Sequence, residues 1–169
     1  MILASLFSRG IASIPRPVVS VAAAQAFGAV LRRHPDLFDR LGKEARKRYA
    51  FVPLELPFAF VIEPGRRTLK VLRKRVRIRA DATISGSIFL LLELLEGRSD
   101  GDAAFFSRDL KVVGDIEAVL ALRNALDNGG VDLPRDIGAS AGVFGPVVTR
   151  AVGLLRDHAL ARRVRPKWN

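Results

Sequence analysis

The octet Ile88-Phe-Leu-Leu-Leu-Glu-Leu-Leu95 constrains this chain more than any other stretch, because only Glu93 interrupts it. A helix that is apolar on every side needs apolar contact on every side. In a chain of 169 residues, one sheet covers only one flank of such a helix. The other flank must meet another helix or a bound apolar ligand. A fully buried core helix meets the same requirement. Ser85 or Ser87 is placed to cap the helix, and Gly97 to end it. Glu93 and Glu96 are three apart and share a helix face. In a pocket, Glu93 could hold a raised pKa and bind a polar head group. A solvent-facing carboxylate paired with a nearby arginine is the commoner arrangement.

Strand signals come before it. From Leu54 to Ile62, Leu54, Leu56, Phe58, Phe60 and Ile62 alternate with Glu55, Pro57, Ala59 and Val61, which predicts one strand with a large apolar face. Pro57 cannot donate a ladder hydrogen bond, so the strand lies at an edge or starts late. Glu63-Pro-Gly-Arg66 fits a type II turn and implies a hairpin. Arg66, Arg67, Lys70, Arg73, Lys74, Arg75, Arg77 and Arg79 then follow without an acidic or aromatic residue between them. Val76, Ile78, Ala80 and Ala82 alternate with Arg75, Arg77, Arg79 and Asp81, which predicts a strand with one cationic face. The parity shift from Leu69 and Val71 requires a bulge or tight turn near residues 72–74.

After the octet, residues 102–127 read as turn, strand, turn and helix. Leu110, Val112 and Val113 are β-prone. Gly114 can take a backbone shape that other residues resist, and Asp115 is a good N-cap. Ile116, Val119, Leu120 and Leu126 follow at helical spacing, with Ala118, Leu122 and Ala125 widening the stripe. Helices are also predicted over 18–33, ending before His34-Pro35, over 35–49, with a basic side of Arg40, Lys43, Arg46, Lys47 and Arg48, and over 143–164. The basic helix could lie on a membrane surface or present a solvated face.

The run Phe105-Phe106-x-Arg108-x-Leu110, then Gly114-Asp115-x-Glu117, then Arg123-Asn124-x-Leu126-Asp127, resembles the C-terminal signature of sterol-carrier-protein-2-like lipid-binding domains. The resemblance is closest to the UbiT branch, the accessory factors of oxygen-independent ubiquinone biosynthesis, and extends more weakly back to Leu54. It implies an α+β fold: a mostly antiparallel sheet covered by helices and enclosing a hydrophobic cavity. It also implies a non-enzymatic protein without cofactor that binds polyprenylated ubiquinone precursors and presents them to partner hydroxylases. A generic carrier of fatty acid, phospholipid or sterol shares that fold. The motif places Phe105 and Phe106 in the cavity wall. Facing and size add Phe58, Phe60, Ile62, Phe89, Leu92 and Leu95. The division expected is a helical extension over 1–50, the lipid-binding core over 51–130, and a C-terminal helix with a basic tail over 131–169, all packed as one domain.

Composition limits the alternatives. With no cysteine, thiolate catalysis and disulfides are excluded. The formal net charge of +11 attracts an anionic membrane, an acidic partner or nucleic acid. Single-strand binders interleave aromatics for base stacking, and Arg66 to Arg79 has none, which disfavours nucleic acid. Arg73, Arg75, Arg77 and Arg79 are instead expected to meet a membrane or partner. The longest uncharged run near the N-terminus, 17–31, is too short to span a bilayer. Ala24-Gln-Ala26 mimics a signal cleavage site, but Arg9, Arg16, Pro15 and Pro17 break the segment before it, so a cytoplasmic protein is expected. Gly138-Ala-Ser-Ala-Gly142 matches a nucleophile elbow, yet no buried strand precedes it. Asp157 and His158 are adjacent and cannot easily orient one another. Asp100 and Asp102 lack the oxygens of a calcium loop, so no metal is expected.

Overall fold

The computed structural model describes residues 15–96, 110–133 and 135–136. Helix α1 spans Arg16–Arg33, with Pro17 in its first turn where a missing N–H costs nothing. The 310 segment Asp39–Arg46 leads to strands β1 (Tyr49–Pro53), β2 (Phe58–Glu63) and β3 (Thr68–Arg73). Strand β4 (Ala82–Gly86), helix α2 (Ile88–Glu96), strand β5 (Lys111–Gly114) and helix α3 (Ile116–Gly129) complete the order. One five-stranded sheet runs β3-β2-β1-β4-β5. Only β1 and β4 pair in parallel; the other three neighbours are antiparallel. The fold is α+β, as the resemblance implies.

Four expectations change. Residues 35–49 do not form one helix. Gly42 takes φ 53° inside the 310 segment and breaks it, and Tyr49 is already in β1. Strand β1, rich in aromatic and apolar residues, is not among the expected strands: its first residue falls at the end of the expected helix, and 50–53 lie between that helix and the strand expected from Leu54. The strand expected from Leu54 begins only at Phe58, so Pro57 marks a late start rather than an edge. The β2–β3 hairpin forms, but through a 310 turn over Pro64–Arg66, and Arg67 at φ 51° carries the left-handed residue.

The fourth change concerns the cationic strand. β3 stops at Arg73, and 74–81 joins no ladder. β4 runs parallel to β1 and therefore to β3, so the chain must return along the sheet before β4 can start. The eight residues 74–81 make that crossover. The turn into it is held by Lys74 N–H donating to the Pro57 carbonyl at 3.0 Å and Val76 N–H to Arg73 at 2.9 Å. Of the alternating apolar set, only Ala82 lies in a strand.

The α3 unit matches its sequence closely. Gly114 sits at φ 99°, and the Asp115 carboxylate accepts from Ala118 N–H at 3.0 Å. The cap sets the helical phase, so Ala118, Val119, Leu122, Ala125 and Leu126 are buried. Ile116 and Leu120, expected in the apolar stripe, are exposed on the other side. Lys47 pairs with both Asp115 and Glu44, fastening the start of α3 to the 310 segment. These bonds hold the Asp115 carboxyl below its ordinary value, the Lys47 bond first and the Ala118 N–H second. A carboxyl lowered on folding stabilises above its unfolded pKa and loses that effect as pH falls through the folded value. Asp115→Asn should therefore destabilise the protein at neutral pH, lowering the melting midpoint by roughly a few degrees, and flatten its pH dependence below about pH 4. Denaturant titrations at neutral and acid pH check this; parallel curves for both proteins would remove Asp115 from the acid response.

Candidate ligand cavity

The β1–β2 register pairs Tyr49 with Ile62 and Phe51 with Phe60. Paired residues share a sheet face, so these four large side chains stand together. Helices close over them and leave a cavity of about 240 Å3. Ala23, Ala26, Phe27 and Val30 of α1 form one wall. Ile88, Leu91, Leu92 and Leu95 of α2 form another, and Leu122 and Leu126 of α3 a third. Leu37, Phe38, Pro53, Val131 and Leu133 complete it. The Phe27 and Phe38 rings meet at 5.9 Å, tilted by 33°, and join α1 to the following turn.

The octet resolves as its composition requires. Leu90 and Leu94 are buried in the core, Ile88, Leu92 and Leu95 face the cavity, and the buried Leu91 also lines its wall. The Ser87 hydroxyl caps α2 by accepting from Leu90 N–H at 3.3 Å, and Glu55 accepts from Ile88 N–H at 2.9 Å. Core and cavity together supply the all-round apolar surroundings.

Among the described residues, Tyr49 is the only wall residue with a polar side-chain atom, and that atom is already used. Its hydroxyl donates to the Glu44 carbonyl at 2.9 Å. Burial pushes the phenol up to about 12, helped by the Glu44 charge, so it stays neutral across physiological pH. The described wall thus offers no charge and no spare side-chain donor. Its chemistry is restricted to taking up hydrocarbon.

Phe60, Ile62, Leu92 and Leu95 of the expected set are brought together in this wall. Phe58 is 1% exposed but stands outside it, in the interior near the start of β2. Phe105, Phe106 and the side chain of Phe89 lie outside the described residues, as do 143–164, Gly138 to Gly142, Asp100 and Asp102. The α1 contribution was missed, although Ala23, Ala26, Phe27 and Val30 repeat at helical spacing in the sequence. Tyr49, Phe51 and Pro53 were missed with their strand. Arg73, Arg75, Arg77 and Arg79 are all exposed. His34 stands 2.9 Å from the buried Asp136 carboxylate, tying the end of α1 to the segment after α3.

Among the described residues, a sheet and helices around an apolar chamber make up a lipid-binding domain of the sterol-carrier type. The chain belongs to the SCP-2 sterol transfer family, which matches residues 27–127. Among solved structures it is similar to the UbiJ-SCP2 ubiquinone synthesis protein, at 22% identity and TM-score 0.56, over 71% of this chain and 98% of that one. It also matches sterol carrier protein domain 2 of Helicoverpa armigera, at 20% identity and TM-score 0.43, over 60% and 80% of the two chains. Apo sterol carrier protein 2 of Yarrowia lipolytica matches at 16% and 0.42, over 63% and 90%. No curated protein sequence matches the chain.

Proposed function

We propose that this protein is a non-catalytic lipid carrier whose cavity takes the tail of a polyprenylated ubiquinone precursor, in oxygen-independent ubiquinone synthesis. The observation that carries the reading is the cavity wall, apolar throughout with the Tyr49 hydroxyl already bonded. Such a wall selects a tail and leaves the ring outside, where partner hydroxylases can reach it. Each Å2 of tail removed from water contributes about 25 cal/mol, so a long isoprenoid needs no polar anchor. Support for the quinone pathway comes from the Phe105-Phe106-x-Arg108 and Arg123-Asn124 elements and from the likeness to a ubiquinone synthesis protein. No helix among the described residues is long and apolar enough to cross a membrane. In this reading the protein works in the cytoplasm, peripheral to the inner membrane.

Native mass spectrometry of protein purified from its own host, followed by lipid extraction, tests this directly. A co-purifying isoprenoid quinone or its phenolic or demethoxy precursor is expected. Fatty acid, phospholipid or sterol alone would replace this reading with that of a generic carrier, which the same cavity also suits.

A further inference from the structure

Helix α1 is held firmly at one end and loosely at the other. Its two buried residues, Ala29 and Val30, lie in its last turns. The His34 N–H closes that end by donating to the Val30 carbonyl at 2.9 Å, and the His34 ring stands 2.9 Å from the buried Asp136 carboxylate. Arg33 approaches the same carboxylate at 3.8 Å. The contact between the Phe27 and Phe38 rings adds a further tie. The first half is fixed less well. Its N-cap, Pro15, makes no side-chain hydrogen bond, and no acidic residue stands in the first turn. Arg16 instead places a cation at the positive end of the helix dipole. Val18 and Val21 are 56% and 58% exposed.

Gly28 lies between the two halves. Glycine is a poor helix former, so a break in α1 costs least there. Packing does not demand a glycine at this position: a Cβ would meet only the flexible end of Arg32, at 3.3 Å. The first half also lies over the cavity. Ala23 and Ala26 are wall residues and partly exposed, whereas Val30, Leu37 and Phe38 belong to the same wall and are buried. The main packing partner of α1 is β3, at the edge of the sheet, so lifting the helix breaks no strand pairing. Few buried contacts and an end without a side-chain cap mark a segment that opens at low cost.

We infer that residues 16–27 are the lid of the cavity, hinged at Gly28, and that the lipid tail enters and leaves beneath Ala23 and Ala26. The lid rests on the carrier reading; the hinge does not depend on which lipid the cavity holds. Passage in either direction waits on opening. Entry and exit therefore scale with the fraction of open protein, while affinity, their ratio, does not.

Gly28→Ala tests this, because alanine favours the unbroken helix and its methyl group displaces only the Arg32 side chain. Stopped-flow capture and release of a dansyl-labelled farnesyl lipid by the lipid-stripped full chain should both slow about fivefold, with Kd unchanged. A merely structural residue would leave both rates alone. In the lipid-free protein, amide exchange over 21–27 should be faster than over 30–33 and should slow about fivefold in the variant. Unchanged rates in Gly28→Ala, a change in only one of the two, or equal exchange along α1 overturns the inference. Amide exchange needs no lipid, so it reads the hinge even where the wild-type protein captures no farnesyl lipid, the result that would sink the carrier reading instead.

Discussion

Gly114→Ala should lower stability by about 3 kcal/mol, or roughly 6–12 °C in melting midpoint, although it adds a single methyl group. Two causes act together. The backbone at φ 99° is one that an L side chain rarely adopts. A Cβ there would also sit 2.2 Å from the Asp81 carbonyl oxygen. That oxygen cannot move freely, because it accepts from Asp115 N–H at 2.9 Å. Asp81 itself is held through its N–H to the Arg48 carbonyl at 2.9 Å. Relieving the clash would separate the paired ends of β4 and β5, where Ala82 faces Gly114, and would disturb the cap of α3. Thermal unfolding followed by circular dichroism measures the loss. A change smaller than about 1 kcal/mol would mean that the strand ends give way more easily than this geometry allows.

Ala26→Phe should abolish most lipid capture while leaving the fold intact. Ala26 faces the cavity from α1, so a ring at that position projects into a space of about 240 Å3. Displacing roughly 60 Å2 of tail from the wall costs about 1.5 kcal/mol, or at least tenfold in affinity. The new ring itself is buried among apolar neighbours, so the melting midpoint should hold or rise. Leu92→Asp should give a similar loss by placing a carboxylate in a wall that offers it no partner. Binding is read with a fluorescent isoprenoid or acyl probe, beside a melting curve for each variant. Undiminished capture by a folded Ala26→Phe protein would move the binding site elsewhere.

The elements legible in the sequence are those whose signals are local. Gly114 and Asp115 announce a turn and a cap within two residues, and both act that way. The octet announces its need for apolar surroundings through composition alone. Ser87 was one of the two caps foreseen for it. The errors arose where an assignment depends on distant partners. Tyr49 to Pro53 is a strand because β2 and β4 pair with it on both sides. Residues 75–80 alternate like a strand, yet none of the described strands pairs with them.

The sequence by itself determined the all-round apolar helix, the α3 cap and the surplus of arginines, each from residue chemistry over a short span, and the lipid-binding class through the family resemblance of residues 105–127. Only the tertiary structure decided which apolar residues face a cavity and which fill the core. Phe58 and Phe60 have the same size and parity, and only Phe60 lines the chamber. The difference is set by what packs above each one. The arrival of α1 and the 49–53 strand at the same space is likewise a matter of long-range packing, to which neither periodicity nor composition is sensitive.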